Sequence, residues 1–143
     1  MALTGATPVF VEVSQQTYNI SPSHLEDAIT AIKAEGRLNI KAIIPVDLFG
    51  TPADYPAIEA IARKDDLLIL SDAAQSIGGS TLEGRCGAFG KVAGTSFYPA
   101  KPLGCYGDGG AMFTDDDALM EKLRSIAFHG KGDSQYDNVQ IGM

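Results

Sequence analysis

The strongest constraint on the fold is an alternation of short apolar runs with amphipathic helical segments in the first half of the chain. Candidate β-strands occupy residues 8–13, 41–46 and 67–70. Between them, helical patterns begin near Ser21 and near Thr51, each with a polar residue and a proline where helices commonly start. Strands that alternate with helices in this way are typical of βαβ units, which build a mostly parallel sheet.

The run 67–70 has an apolar residue at every position, which predicts a strand buried on both faces of the sheet. The second half of the chain has a different pattern. Shorter strand candidates at 91–97 and 110–114 are joined by glycine-rich loops without a full helix between them. Simple parallel crossovers are therefore not expected there. A last helix begins within 114–117, where three aspartates suit the positive end of a helix dipole.

Composition limits the classes of function. The chain has 143 residues, and its 45% hydrophobic and 20% charged residues are typical of a folded globular domain with a core. No apolar run approaches the roughly 20 residues that span a bilayer, and no secretory signal is visible at the N-terminus. The net charge is −7 and there is no basic cluster. We therefore expect neither a membrane nor a nucleic acid as partner.

The two cysteines indicate a compartment rather than a metal site. Cys86 and Cys105 do not form a C-x-x-C pair, and the two histidines elsewhere do not complete a set of zinc ligands. No metal site is predicted. Two thiols in a chain without a visible secretory signal favour the reducing cytoplasm, although the count alone also allows one disulfide.

Two residues have surroundings that suggest covalent chemistry. Asp72 directly follows the apolar run, and ligands of open α/β sheets bind beyond the carboxyl ends of strands. Lys101 has uncharged and mostly apolar neighbours, which favour the neutral amine that attacks a carbonyl. Taken singly, Asp72 is equally well explained as a turn residue and Lys101 as an ordinary surface lysine.

Taken together, the two residues match the needs of pyridoxal phosphate. That cofactor is held by a covalent bond to a lysine, and an acid at its pyridine nitrogen keeps the ring electron-withdrawing. Asp72 at a strand end and Lys101 on a later loop suit these two roles. Ser96, five residues before Lys101, offers a hydroxyl for the cofactor phosphate.

Two longer motifs point to a family. Residues 71–76 read SDAAQS, and residues 96–111 read SFYPAKPLGCYGDGGA. Both stretches resemble the DegT/StrS-type sugar aminotransferases, which are fold-type I pyridoxal phosphate enzymes acting on keto sugars linked to nucleotides. Shorter segments at 19–21, 45–50 and 128–130 resemble family segments in the same order, so the resemblance covers nearly the whole chain.

The resemblance implies roles for four residues. Lys101 would bind the cofactor covalently and would move protons between the substrate and the cofactor. Asp72 would pair with the pyridinium nitrogen, Gln75 would lie near the phenolic oxygen, and Ser96 would hold the phosphate. The implied partners are a nucleotide-linked keto sugar and an amino donor such as glutamate. Family members with histidine at the lysine position are dehydratases, so Lys101 favours amino transfer.

The resemblance also implies a fold class and the part of a family member to which this chain corresponds. The chain would be an α/β structure, part of the large mixed, mostly parallel sheet domain of a fold-type I aminotransferase. Residues 1–143 would form a partial cofactor-binding domain, without the family's N-terminal segment and small C-terminal domain. A homodimer with its site at the subunit interface is expected. Because such a site would be incomplete in this chain, the alternatives are a non-catalytic truncated or remnant domain and a sugar dehydratase.

Overall fold

Four strands and three α-helices follow one another in the part of the chain that the computed structural model describes, residues 4–132, 134 and 136–142. A short 3-10 turn, Leu48–Gly50, lies between the first strand and the second helix. In chain order the elements are α1 (Pro22–Glu35), β1 (Ala42–Ile43), α2 (Tyr55–Lys64), β2 (Leu68–Asp72), β3 (Val92–Ser96), β4 (Gly110–Phe113) and α3 (Asp117–Ala127).

The strands form one mixed sheet in the order β1-β2-β3-β4. β1 pairs with β2 and β2 with β3 in parallel, while β4 runs antiparallel to β3. The predicted α/β fold with a mixed, mostly parallel sheet is therefore confirmed. The expectation that the strands at 91–97 and 110–114 are not joined by a simple parallel crossover is confirmed, because β4 is antiparallel to β3. A loop without a helix, residues 73–91, joins the parallel strands β2 and β3.

The sheet buries one of its two faces. Ile43 and Ile69 are paired neighbours on that face, and they contact a core built from α1, α2 and the loop before β3. The stacked rings of Tyr55 and Phe89, with centroids 4.2 Å apart, belong to the same core. Its members are Leu25, Ile29, Ile43, Ala53, Tyr55, Ile58, Ile61, Ala62, Ile69 and Phe89.

The opposite face, called here the open face, is exposed along β2. Leu68 and Leu70 are 56% and 38% exposed, whereas Ile69 between them is buried. The prediction that the run 67–70 is buried on both faces is therefore wrong. Strand side chains alternate between faces, and α1 and α2 cover only one of them.

The helix boundaries follow the polar signals in the sequence. Ser21 caps α1 by accepting a hydrogen bond from His24 N, and Gly36 ends that helix in the left-handed conformation with φ +66°. Asp54 caps α2, and Asp116 caps α3 by accepting from Leu119 N at 2.9 Å. No helix in the described part of the chain is both long and apolar enough to cross a membrane.

Two strand predictions need correction. Residues 8–13 are not a strand: they form a single antiparallel bridge between Val13 and Ile20, and Phe10 is 91% exposed. Apolar β-branched residues form a strand only when a neighbouring chain supplies a hydrogen-bond ladder. The run 41–46 narrows to Ala42–Ile43, because Pro45 has no N–H to donate to the ladder.

Candidate active site

The four predicted site residues lie along one edge of the sheet. β2 ends at Asp72 and β3 ends at Ser96, and these strands are parallel neighbours, so both carboxyl ends open at the same edge. Gln75 follows β2 by three residues, and Lys101 follows β3 by five. The topology therefore brings together chain segments that are 20 to 30 residues apart, as ligand sites in open α/β sheets require.

Asp72 is half-buried on the open face beside Gly94. The two residues pair across β2 and β3, and Asp72 Oδ1 accepts a hydrogen bond from Ala74 N at 3.1 Å. A Cβ atom added to Gly94 would meet nothing within 4 Å. The carboxylate thus borders open space above a strand that has no side chain at this point.

The side-chain oxygen atoms of Gln75 and Ser96 each accept a hydrogen bond from a backbone N–H. Gln75 Oε1 accepts from Phe49 N at 2.8 Å, which leaves the amide nitrogen of Gln75 as a donor. Ser96 Oγ accepts from Tyr98 N at 3.2 Å, so its hydroxyl hydrogen remains a donor as well. Both side chains can therefore donate to oxygen atoms of a ligand.

Lys101 lies in a tight loop after β3. Its backbone N–H donates to Tyr98 O at 2.8 Å, and the loop is folded back by a bond from Cys105 N to Phe97 O. The Lys101 side chain is only half-buried, and the residues around it are exposed. Its uncharged sequence neighbours therefore do not enclose the amine in the described part of the chain, contrary to the environment that the sequence suggests.

A buried carboxylate beneath this edge was missed at the sequence level. Asp47 is completely buried, and its Oδ1 accepts from Tyr55 Oη at 2.7 Å and from Ala53 N at 3.0 Å. Its Oδ2 accepts from Ser76 Oγ at 2.6 Å. Burial, helped by the Asp47 charge, raises the pKa of the Tyr55 hydroxyl far above its ordinary value, so this group stays a donor.

The signal for Asp47 in the sequence was a carboxylate placed directly after an apolar run, the same signal that drew attention to Asp72. Partners for its carboxylate lie as far as 29 residues away, so the network itself was not visible. Among the described residues, no group of three or more histidine, cysteine, aspartate or glutamate side chains is arranged to hold a metal ion.

Comparison with known proteins places this geometry in a family. All of residues 1–143 match the model of the DegT/DnrJ/EryC1/StrS aminotransferase family. UDP-2-acetamido-2-deoxy-3-oxo-D-glucuronate aminotransferase from Pseudomonas aeruginosa is 49% identical over 143 residues. The aligned region is 100% of this chain and 38% of that relative, so the chain spans well under half of its length.

Solved structures resemble this chain in fold as well as in sequence. A DegT DnrJ EryC1 StrS aminotransferase from Brucella abortus superposes with a TM-score of 0.97 and 63% identity, over 99% of this chain and 38% of that one. NtdA from Bacillus subtilis, solved with bound cofactor PMP, gives a TM-score of 0.86 and 31% identity over 99% of this chain and 30% of that one. With the family model matched from the first residue to the last, the chain belongs to the DegT/DnrJ/EryC1/StrS aminotransferase family.

Proposed function

We propose that this chain is the cofactor-binding part of an aminotransferase that uses pyridoxal phosphate to aminate a keto sugar linked to a nucleotide. One observation carries the proposal. In a member of this family, Asp72, Gln75, Ser96 and Lys101 lie along the edge where two neighbouring parallel strands end. A relative solved with bound PMP, the amino form of this cofactor, supports the choice of cofactor.

The donors and acceptors at this edge fit the cofactor. The Asp72 carboxylate suits a protonated ring nitrogen, the free amide nitrogen of Gln75 suits a phenolic oxygen, and the Ser96 hydroxyl suits a phosphate. The open space beside Gly94 leaves room for a flat ring. When bound, pyridoxal phosphate supplies an electron-withdrawing ring and an aldehyde carbon that carries the amino group between substrates.

The mechanism assigns one task to each residue. Asp72 keeps the ring nitrogen protonated, because a nearby negative charge favours the positive form. Lys101 would hold the cofactor covalently through Nζ. As a free amine, Nζ would take a proton from the substrate carbon and return it to a neighbouring carbon. Gln75 and Ser96 orient the ring by donating hydrogen bonds to its oxygen atoms.

The substrate class comes from the similarity to the Pseudomonas relative, which is named for a 3-oxo sugar on UDP. We extend the class, a keto sugar on a nucleotide, to this chain, with glutamate as the amino donor. The two cysteines of the chain are free thiols, Cys86 buried and Cys105 exposed, which agrees with a reducing cytoplasm as the place of action.

The open face supports a larger assembly. Leu68 and Leu70 on β2 and Met112 on β4 leave 56%, 38% and 47% of their surfaces exposed. Apolar patches of this kind are normally covered by further chain or by a partner. We therefore propose that residues 1–143 are part of a cofactor-binding domain and that the working enzyme is a homodimer with its site at the subunit interface. The exposed residues around Lys101 favour a second candidate, a non-catalytic truncated or remnant domain.

Covalent labelling tests the site. The purified protein is mixed with pyridoxal phosphate, reduced with borohydride, digested and mapped by mass spectrometry. We expect a pyridoxyl group on Lys101 that is absent from Lys101→Ala. The matched control, Lys91→Ala, removes a lysine paired with Asp116 and should leave the label in place. A label on a different lysine would refute the assignment, and no label on Lys101 would favour the non-catalytic domain.

Product analysis tests the reaction. The loaded protein is given glutamate and UDP-2-acetamido-2-deoxy-3-oxo-D-glucuronate, the substrate named for the Pseudomonas relative. Amino transfer yields 2-oxoglutarate and a sugar in which an amino group replaces the oxo group. A product that has lost water without gaining nitrogen would instead identify a dehydratase.

A further inference from the structure

The turn after β1 is hydrogen-bonded at three points to the segment from Asp72, the last residue of β2, to Ser76. Asp47 N donates to Asp72 O at 3.0 Å, and Ser76 Oγ donates to Asp47 Oδ2 at 2.6 Å. Phe49 N donates to Gln75 Oε1 at 2.8 Å. Both ends of the segment that carries the proposed cofactor residues are therefore tied to one short turn.

Asp47 is an unusual residue for the centre of such a turn. A carboxylate that is completely buried is costly unless its oxygens accept enough hydrogen bonds. Here they accept from Tyr55 Oη, Ala53 N and Ser76 Oγ, with two of the three distances at 2.6 and 2.7 Å. Bonds to a charged acceptor are short and strong, so this carboxylate restricts the movement of everything bonded to it.

The turn also has a strained backbone. Phe49 has φ +56°, a left-handed conformation that is unfavourable for a bulky side chain and persists only where the surroundings hold it. Asn19 Oδ1 accepts from Leu48 N at 2.9 Å on one side, and Gln75 Oε1 accepts from Phe49 N on the other. This conformation directs the Phe49 N–H at Gln75 Oε1. The amide nitrogen of Gln75 is therefore the atom that remains available to a ligand.

From these contacts we infer that Asp47 is a positioning residue of the cofactor site. It holds the segment from Asp72 to Ser76 so that the Asp72 carboxylate and the Gln75 amide nitrogen keep a fixed separation. A fixed separation suits a flat ligand that carries a protonated ring nitrogen and an anionic oxygen. The inference rests on the proposed function for the identity of the ligand, but the hydrogen bonds that hold the segment belong to this chain alone.

The test compares two aspartates seven residues apart. Asp47→Ala removes the buried carboxylate, whereas Asp54→Ala removes the same atoms from the cap of α2, which is bonded to Ala57 N. Hydrogen exchange of residues 72–76 is measured without cofactor, at a temperature where both variants keep the wild-type far-ultraviolet spectrum. We expect exchange to be at least about tenfold faster in Asp47→Ala than in Asp54→Ala, because of these two carboxylates only that of Asp47 is bonded to the segment.

Two further variants keep the test decisive. Asp47→Asn keeps an oxygen for Tyr55 and Ala53, and its amide nitrogen can donate to Ser76 Oγ, but it loses the charge. Its exchange should therefore be much closer to that of the wild type than to that of Asp47→Ala. Ser76→Ala removes a single bond and should speed exchange in the same direction by a smaller factor. Ser76→Ala thus replaces Asp47→Ala as the test variant if the latter does not fold.

Pyridoxal phosphate is then titrated into each variant by its visible absorption. Asp47→Ala is expected to raise the half-saturating concentration about tenfold, and Asp47→Asn and Asp54→Ala to leave it near the wild-type value. Equal exchange in Asp47→Ala and Asp54→Ala, or wild-type cofactor affinity in a loosened Asp47→Ala, overturns the inference. If the wild-type protein binds no cofactor, the proposed function fails, while the exchange rates still decide whether Asp47 holds the segment.

Discussion

Gln75 and Phe49 are joined by a hydrogen bond in which the backbone N–H of Phe49 donates to Oε1 of Gln75 over 2.8 Å. This single contact distinguishes the two chemically different ends of a glutamine amide. With the oxygen engaged, the nitrogen is the end that remains for a ligand, and it can only donate. The site therefore presents a donor, suited to an anionic oxygen, where the residue type alone would allow either a donor or an acceptor.

Gln75→Glu tests this orientation. The carboxylate can still accept from Phe49 N, so the thermal midpoint should stay close to that of the wild type. The donor is lost and a negative charge takes its place, so we expect pyridoxal phosphate to bind about tenfold more weakly in an absorbance titration. Gln75→Leu, which loses both functions, should lower affinity and stability together. Wild-type affinity in Gln75→Glu would show that the amide nitrogen does not face the cofactor.

Gly94→Val tests whether the open face holds the cofactor. A Cβ at this position meets nothing within 4 Å, and valine favours strands, so stability should be unchanged or slightly higher. The new side chain would occupy the space beside Asp72. We therefore expect cofactor affinity to fall by more than about tenfold in the same titration.

Gly90→Ala is the control for the effect of Gly94→Val on stability. It also adds a Cβ atom to a glycine, but at a position where neighbouring atoms leave no room. Gly90 has φ +76°, and a Cβ there would lie 2.6 Å from Ile69 O. Its stability should fall by about 1–3 kcal/mol in urea unfolding, from backbone strain. Unchanged cofactor binding in Gly94→Val would mean that the cofactor uses a different surface.

Tyr55→Phe tests the buried network at neutral pH. The Tyr55 hydroxyl donates to Asp47 and lies 2.6 Å from Ser71 Oγ, while its ring stacks on Phe89. Phenylalanine keeps the stacked ring and leaves the carboxylate with one donor fewer. We expect the free energy of unfolding to fall by about 1–3 kcal/mol, measured by urea titration at pH 7. A variant as stable as the wild type would contradict the network.

The same pair of proteins has a predicted pH dependence. Burial raises the pKa of Tyr55 in the folded state, whereas an unfolded tyrosine ionises near about pH 10. Below that pH the hydroxyl is protonated in both the folded and the unfolded state, and its full contribution to the free energy of unfolding is present. Above it only the unfolded state loses the proton, so wild-type stability should fall by up to about 1.4 kcal/mol per pH unit. Tyr55→Phe lacks this group. The difference in the free energy of unfolding between the wild type and Tyr55→Phe should therefore become smaller between about pH 10 and 11.5.

Alkylation separates the two thiols. Cys86 is buried, and burial raises the pKa of its thiol, so little reactive thiolate forms near neutral pH. Cys105 is exposed. With iodoacetamide at pH 8 we expect Cys105 to react at least about tenfold faster, followed by peptide mass spectrometry. In urea, where both thiols are accessible, the two rates should become similar. Similar rates in the native protein would contradict the burial of Cys86.

Local signals in the sequence were sufficient for much of the framework. Ser21 and Gly36 bound α1 because a cap and a left-handed glycine act on the neighbouring turn alone. Strand β2 was found from its apolar run. Asp72 was placed at a strand end because it directly follows the apolar run, and the structure places Ser96 at the end of the next strand.

Other features depended on partners that are distant along the chain. Residues 8–13 have the composition of a strand but lack a ladder, and Leu68 is exposed because the helices cover the opposite face. The Asp47 carboxylate meets Ser76 across 29 residues, and the Gln75 amide is oriented from 26 residues away. Amino-acid order therefore determined most of the elements and which residue types lie at the sheet edge. The tertiary structure decided burial and hydrogen-bond direction, since both depend on which distant groups the fold brings into contact.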